Sequence, residues 1–355
     1  MIAEGTRKYT FIKNRMEMQT KILSPTARNI ALCAREIATG GVVAFPTETV
    51  YGLGANAFAA QAVQKIFEVK GRPPDNPLIV HVADFAQIDG LAASVPERAR
   101  KLMEHFMPGP LTLVLNKSHA VPGVVTAGLD TVAVRMPSDK TALAFIQKCG
   151  APLAAPSANR SGFPSPTTAR HTLEDLSGKI PYILDGGACR IGVESTVVDA
   201  RSAIPVILRA GAVSAEEIEK LLGAAEIAGT GVAETETPLS PGQKYRHYAP
   251  KAEVTASAYN ELMHQRITEA FDNAVSTGKN PVIICMDKRI ALYGNRSKYI
   301  AGANAADYAR NLYALLRMAD ADGFDTVFAE GVPAAGIGAA VMNRLGKAGK
   351  GLVFL

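Results

Sequence analysis

Tryptophan is absent from this 355-residue chain, aromatic residues make up only 6% of it, and its four cysteines, Cys33, Cys149, Cys189 and Cys285, lie far apart with no C-x-x-C pair. Such spacing offers neither a structural zinc site nor a disulfide framework, so buried free thiols in a reducing compartment are expected. No run approaches about eighteen apolar residues, the length of a membrane span. The opening stretch MIAEGTRKYTFIKNRMEMQT also lacks the apolar core and small-residue cleavage site of a signal peptide. A cytoplasmic location without membrane contact is the expectation. A large excess of one charge is missing too: 38 Lys+Arg stand against 33 Asp+Glu, a net +5. That bias tolerates an anionic partner but is far from the patterning of a dedicated nucleic-acid binder. With 48% hydrophobic residues, 31 Gly and 21 Pro, the chain is neither disordered nor collagenous, and its length favours two cores over one.

Helix and strand patterns alternate from Ser24, after an aperiodic polar extension over 1–20. Ser24-Pro25 reads as a helix start, Ile30, Cys33 and Ile37 recur at helical spacing, and Gly40-Gly41 ends the run. Strands are expected at 42–45, 78–82, 111–115, 131–135, 153–155, 182–184, 196–198 and 206–208, with helices near 60–69, 96–106, 139–148, 168–176 and 214–222. Because strands outnumber helices, a twisted mixed α/β sheet is expected over 21–222. Residues 223–250 show no period and read as a linker, acidic first and then basic and aromatic in SPGQKYRHYAP. From 251 to 355, helices near 260–276, 304–319 and 338–347 alternate with strands at 282–285 and 326–329, the pattern of a smaller parallel, Rossmann-like domain.

In the first unit the unusual residues collect where strands end, which is where open α/β sheets bind ligands. PTETVYGLG (46–54) is a hydroxyl- and glycine-rich turn that is either an ordinary connection or a close backbone approach to a ligand. In KGRPPDNP (70–77), Lys70 and Arg72 flank a glycine and three prolines stiffen the remainder, an arrangement that fixes cations on a phosphate with little entropy left to lose. A helix C-terminus accounts for Lys70-Gly71 but not for the stiff segment after it. His81, in an apolar strand, suits a core histidine, whereas Arg135 ends a buried strand and must be paired or face a cleft. APSANRSGFPSP (155–166), GVEST (192–196) and ILRAG (207–211) repeat the theme, and none contains a nucleophile elbow. There is no P-loop and no H-E-x-x-H, and Gly336-Ile337-Gly338 lacks a third glycine. Clustered cations with small hydroxyls and no evident nucleophile suit a site that positions anions and neutralises their charge.

Taken in order, PTETVYGLG (46–54), KGRPPDNPLIVH (70–81), PGPLT (108–112), AVRMP (133–137), APSANRSGFPSPT (155–167), GVESTVVD (192–199) and SPGQKYRHYAP (240–250) resemble the YrdC-domain family, and within it the long, two-domain threonylcarbamoyl-AMP synthases. The resemblance implies a YrdC-like catalytic domain and a nucleotidyltransferase that makes L-threonylcarbamoyl-AMP and pyrophosphate from L-threonine, bicarbonate or CO2, and ATP. The product would be the donor for threonylcarbamoyladenosine in tRNA, used by separate transferase machinery. A carbamate oxygen would attack the α-phosphorus, normally with Mg2+ on the phosphates, so no protein nucleophile is required.

By motif, the resemblance assigns L-threonine to Thr49, His81, Arg135, Ala155 and Ser195. It assigns ATP to Lys70, Arg72, Asn76, Thr131, Ser157, Asn159, Ser165, Arg209 and Tyr248. Lys70, Arg72 and Arg135 would carry the catalytic charges. Arg209 stands in ILRAG where the family often has ILRPG, which puts the stiffness of that turn in doubt. Tyr245, Arg246, His247 and Tyr248 would lie over the cleft as a lid. Two other readings compete: an RNA-binding or ribosome-maturation module without ATP turnover, and a carbamoyl transferase using carbamoyl phosphate. The first rests on mild charge alone, and the second lacks accompanying zinc-finger or acylphosphatase-like segments. Direct tRNA contact has little support in the sequence.

Overall fold

The computed structural model describes residues 18–228, 238, 248–349 and 352–353. Residues 1–17 of the expected extension, and Tyr245, Arg246 and His247 of the expected lid, lie outside the described residues.

A mixed eleven-stranded sheet runs in the order Lys21–Leu23, Tyr182–Leu184, Val43–Phe45, Gly52–Asn56, Leu153–Ala155, Ile79–His81, Thr131–Arg135, Leu111–Asn116, Thr196–Asp199, Val206–Arg209, Glu226–Ile227. A second, five-stranded sheet orders Lys298–Gly302, Pro281–Met286, Thr326–Ala329, Glu253–Ser257, Leu352–Val353, and all of its pairings are parallel. This is the mixed α/β architecture with a smaller parallel unit that the strand-to-helix ratio predicts. Three strands of the first sheet were missed. Gly52–Asn56 pairs antiparallel with Val43–Phe45, so PTETVYG is a hairpin connection and not a strand-to-helix loop. Its glycines hide a strand from propensity, since they carry no side chain to pack. Lys21–Leu23 is only three residues long and directly follows the polar extension, and Glu226–Ile227 falls in the expected linker, where it pairs with Val206 and Ile207.

Helix ends follow local chemistry. Thr26, not Ser24, caps helix Ala27–Ala38, its hydroxyl accepting from Asn29 N at 3.2 Å. Helix Ala60–Lys70 stops at Gly71, whose left-handed φ of 61° suits glycine. The helix expected from 260 begins at Met263.

Alternation along the central strands creates the site. Val80, Val132, Val134 and Ala154 join the main core on one face of the sheet. Their neighbours Ile79, His81, Ala133, Arg135 and Ala155 therefore point to the opposite face, and register places His81 beside Arg135 and Ile79 beside Ala155. The four cysteines are free; Cys33, Cys189 and Cys285 are buried and Cys149 is partly so. Burial pushes the Cys33, Cys149 and Cys285 thiols up to about 12, which keeps them protonated and unreactive. No helix among the described residues is long and apolar enough to cross a membrane.

Candidate active site

The open face of the first sheet floors a cleft lined by Thr47, Thr49, Arg72, His81, Arg135, Ala155, Ser157, Glu194, Ser195, Arg209 and Tyr248, among others. About 600 Å³ of space lies between these residues, open solvent at the mouth included. Nine of the residues assigned by motif meet here: Thr49, His81, Arg135, Ala155 and Ser195 from the threonine set, and Arg72, Ser157, Arg209 and Tyr248 from the ATP set. Three guanidinium groups from separate segments thus converge on one concavity.

At one end, Thr47 stitches the hairpin loop by donating to Val50 O at 2.7 Å and accepting from Thr49 N at 3.1 Å. The loop delivers Glu48 and Thr49 to Arg135. Arg135 Nη1 donates to Thr49 Oγ1 at 2.9 Å, Nε donates to Gly109 O at 3.3 Å, and Nη2 lies 2.7 Å from Glu48 Oε1. That last contact is close but misdirected, leaving Arg135 Nη2 and both Glu48 oxygens without a hydrogen bond. The guanidinium also lines the cleft, where an incoming carboxylate can share its donors. His81 Nδ1 also lacks a partner. Burial, and then the neighbouring Arg135 charge, push the His81 pKa down to about 3, so its ring is neutral at neutral pH.

At the other end, Ser195 Oγ shares a 2.7 Å hydrogen bond with Thr112 Oγ1, while Arg209 donates to Ser195 O and Ser195 Oγ, each at 3.1 Å. Arg72 Nη2 donates to Asn76 O at 3.3 Å and Pro77 O at 3.2 Å at the cleft. Glu194 accepts from Ser165 Oγ at 2.6 Å, Tyr313 Oη at 2.8 Å and Arg344 Nε at 2.8 Å. Burial alone would raise the Glu194 pKa, but the Arg344 and Arg209 charges and the Ser165 bond outweigh it and hold the carboxyl at about 2.

Five motif-assigned residues do not line the cleft. Lys70, expected to aim at phosphate, turns its Nζ to the carbonyls of Ser157, at 2.5 Å, and Asn159. Burial, then the nearby Arg72 charge, lower its pKa well below the usual lysine value. Asn159 accepts from Ser157 Oγ at 2.5 Å, and Ser165 is tied to Glu194. Asn76 is buried, with its Oδ1 unpartnered. Thr131 shares the cleft face of its strand but begins it, roughly 13 Å from Arg135 at about 3.3 Å per residue. Glu48, Thr112, Glu194, Tyr313 and Arg344 were missed. The two acids stand inside quoted motifs, and a carboxylate in a buried segment must find a partner. Tyr313 and Arg344 carry no local signal, because they meet Glu194 from 119 and 150 residues away.

These protonation states predict acid lability. Unfolded His81 takes up a proton near 6.5 but folded His81 only near 3, so the unfolded chain binds more protons in that window and stability is lost as pH falls through it. The loss approaches about 1.4 kcal/mol per pH unit for one such histidine. His171, whose pKa is also lowered, adds to it. Glu194 acts below its unfolded value of 4.5, its contribution being complete above 4.5 and lost towards 2. Urea midpoints between pH 7 and pH 5 should therefore fall, and His81→Gln should flatten that slope. An unchanged slope would mean that His81 is not buried neutral.

The comparisons with known proteins agree with this geometry. A family model described as "Telomere recombination", covering the Sua5, YciO and YrdC proteins, matches residues 35–211, and one described as "Threonylcarbamoyl-AMP synthase, C-terminal domain" matches residues 213–349. Threonylcarbamoyl-AMP synthase of Pyrococcus abyssi (strain GE5 / Orsay) is 50% identical over 321 residues, 90% of this chain and 93% of the relative. That of Bacillus subtilis (strain 168) is 45% identical over 337 residues, 94% of this chain and 96% of the relative. The crystal structure of P. abyssi Sua5 complexed with L-threonine superposes with a TM-score of 0.87 at 47% identity, covering 93% of this chain and 97% of that one. The large mixed sheet and its cleft are thus a YrdC-type catalytic unit. With its second unit, the chain belongs to the two-domain Sua5 family.

Proposed function

We propose that this cleft joins L-threonine, bicarbonate or CO2, and ATP into L-threonylcarbamoyl-AMP and pyrophosphate. The enzyme class is threonylcarbamoyl-AMP synthase, a transferase of tRNA modification, as in relatives of 45–50% identity across nearly the whole chain. The observation that carries the site assignment is the buried Arg135 guanidinium, presented to the cleft among Thr49, Glu48 and His81. An α-carboxylate is the acceptor it fits, by a charge-assisted hydrogen bond. The Thr49 hydroxyl is bonded to that guanidinium, Ser195 lines the same cleft, and His81, being neutral, adds no competing charge. Ala155 leaves room beside them.

The neutral amine of bound threonine adds to CO2 with loss of a proton, or takes the carbon of bicarbonate with loss of water, to give a carbamate, and a carbamate oxygen attacks the α-phosphorus. The bond from that phosphorus to the bridging oxygen breaks, and pyrophosphate leaves with the electron pair. Arg72 and Arg209 offset the triphosphate charge. Lys70, Ser157 and Asn159 shape the loop beneath the nucleotide, with Lys70 acting through the loop carbonyls, and Thr131 lies along the same face at the distance an extended nucleotide would span. Among the described residues no group of three His, Cys, Asp or Glu forms a metal cage, and the two cleft carboxylates face Arg135 and Arg344. A protein-held Mg2+ does not fit that donor set. Mg2+ belongs to the reading only as a counterion arriving on ATP.

Tyr248 is the described part of the proposed lid. It is buried, with a left-handed φ of 67° that is strained for a non-glycine residue. Tyr248→Ala should lower product yield by about tenfold, the scale of one ring contact, while threonine affinity measured by calorimetry stays within about twofold. Equal losses in both would count against a lid. The product would pass to separate machinery acting on tRNA, and this chemistry does not require tRNA in the cleft.

Pyrophosphate release with each substrate omitted in turn tests the function. Release should need threonine, bicarbonate and ATP together. Turnover supported by carbamoyl phosphate would favour carbamoyl transfer, and salt-sensitive RNA binding without pyrophosphate would favour an RNA module.

A further inference from the structure

The second unit does more than follow the first in sequence. Helix Ala305–Ala321 turns Arg310, Tyr313 and Arg317, spaced as one helical face, onto the 185–195 loop, the loop at Pro164 and helix Ala169–Leu176. Arg310 Nε donates to Arg190 O at 3.0 Å. Tyr313 Oη donates to Glu194. Arg317 Nη2 donates to Pro164 O at 2.5 Å and Asp175 Oδ2 at 2.6 Å. Gly192 lies so close that a Cβ there would come within 2.4 Å of Arg310 Cα, and its φ of 83° also favours glycine. From helix Ile337–Ala348, fully buried Arg344 reaches Glu194 with Nε and Ala210 O with Nη2, at 2.8 Å and 3.0 Å. The second contact braces the ILRAG turn directly after Arg209. Tyr248 stacks on Tyr313 with ring centroids 5.3 Å apart, and the Arg344 guanidinium lies 5.5 Å from the Tyr248 ring centroid.

We infer that Tyr313 and Arg344 are positioning residues for the ATP half of the reaction, through which the second unit sets the charge and the roof of a cleft built by the first. The inference rests on the function proposed above. Glu194 is an ionised carboxylate lining a cleft that must accept a triphosphate. Arg344 cancels that charge, and together with Tyr313 it turns the carboxylate into the anchor of Ser165. The same two side chains form the seat on which Tyr248 lies. Loss of Arg344 leaves a buried negative charge facing the incoming phosphates, whereas the threonine end, organised by Glu48, Thr49 and Arg135, keeps its contacts.

Steady-state pyrophosphate release and calorimetric threonine binding on the full chain test this. Arg344→Met should raise KM for ATP by about tenfold or more, with threonine affinity within about twofold. Adding Glu194→Gln to that variant should recover a substantial part of the loss, because the uncancelled charge is gone. Tyr313→Phe keeps the stack on Tyr248 but loses the hydroxyl, so it should raise KM for ATP by a few-fold without lowering the melting temperature. If Arg344→Met fails to fold, Tyr313→Phe alone decides. Unaltered KM for ATP, or parallel losses for both substrates with a falling melting temperature and no recovery in the double variant, would overturn the positioning role. Wild-type protein that releases no threonine-dependent pyrophosphate would instead overturn the proposed function.

Discussion

Replacing Arg135 with alanine should weaken threonine binding by about 10–100-fold and also destabilise the fold. The guanidinium is the ion-pair partner of the buried Glu48 carboxylate, 2.7 Å from its Nη2. Truncation leaves that carboxylate uncompensated, a change that typically costs about 3–5 kcal/mol. Loss of the charge-assisted bond to the substrate adds about 1.5–3 kcal/mol to binding, more than tenfold in affinity. Arg135→Lys separates the two effects. A lysine keeps charge near Glu48, and thus much of the stability, but lacks the fork that serves Thr49, Gly109 and a ligand together. Threonine calorimetry should then show weakened binding in a protein whose melting temperature is nearly normal. Wild-type threonine affinity in Arg135→Lys would show that the fork does not hold the carboxylate.

Arg72→Ala should produce the complementary phenotype. It lines the cleft and donates to the carbonyls of Asn76 and Pro77, within a segment that prolines stiffen. Its loss should therefore raise KM for ATP or lower turnover by about 10–100-fold, the equivalent of a lost charge-assisted bond at 1.5–3 kcal/mol. Threonine affinity and melting temperature should change little. A variant that loses threonine binding as strongly as ATP would place Arg72 at the wrong end of the cleft.

How much of this was legible in the sequence depended on the range of the forces involved. Strands Thr131–Arg135, Leu153–Ala155 and Tyr182–Leu184 have the expected bounds because short apolar or β-branched runs are local signals. Gly52–Asn56 is a strand by virtue of its neighbours on both sides, which no local pattern announces. Among the site residues, Arg135 was identifiable because a cation ending a buried strand demands a partner. For Lys70 a cation beside a glycine suggests phosphate, and in this structure its ammonium is taken by two carbonyls of the 157–159 loop. The clamp of Tyr313 and Arg344 on Glu194 was invisible, since each residue reads as an ordinary helical position until packing brings it to the cleft.

The central claim is that one sheet face holds threonine, its carbamate carbon and the α-phosphate of ATP side by side, with no protein nucleophile between them. Mass spectrometry of the reaction with 13C-bicarbonate and threonine tests it most directly. The account predicts one small-molecule product containing threonine, the labelled carbon and AMP, formed in step with pyrophosphate and leaving the protein mass unchanged. Adenylate or labelled carbon attached to the protein, or pyrophosphate released without threonine, would contradict it.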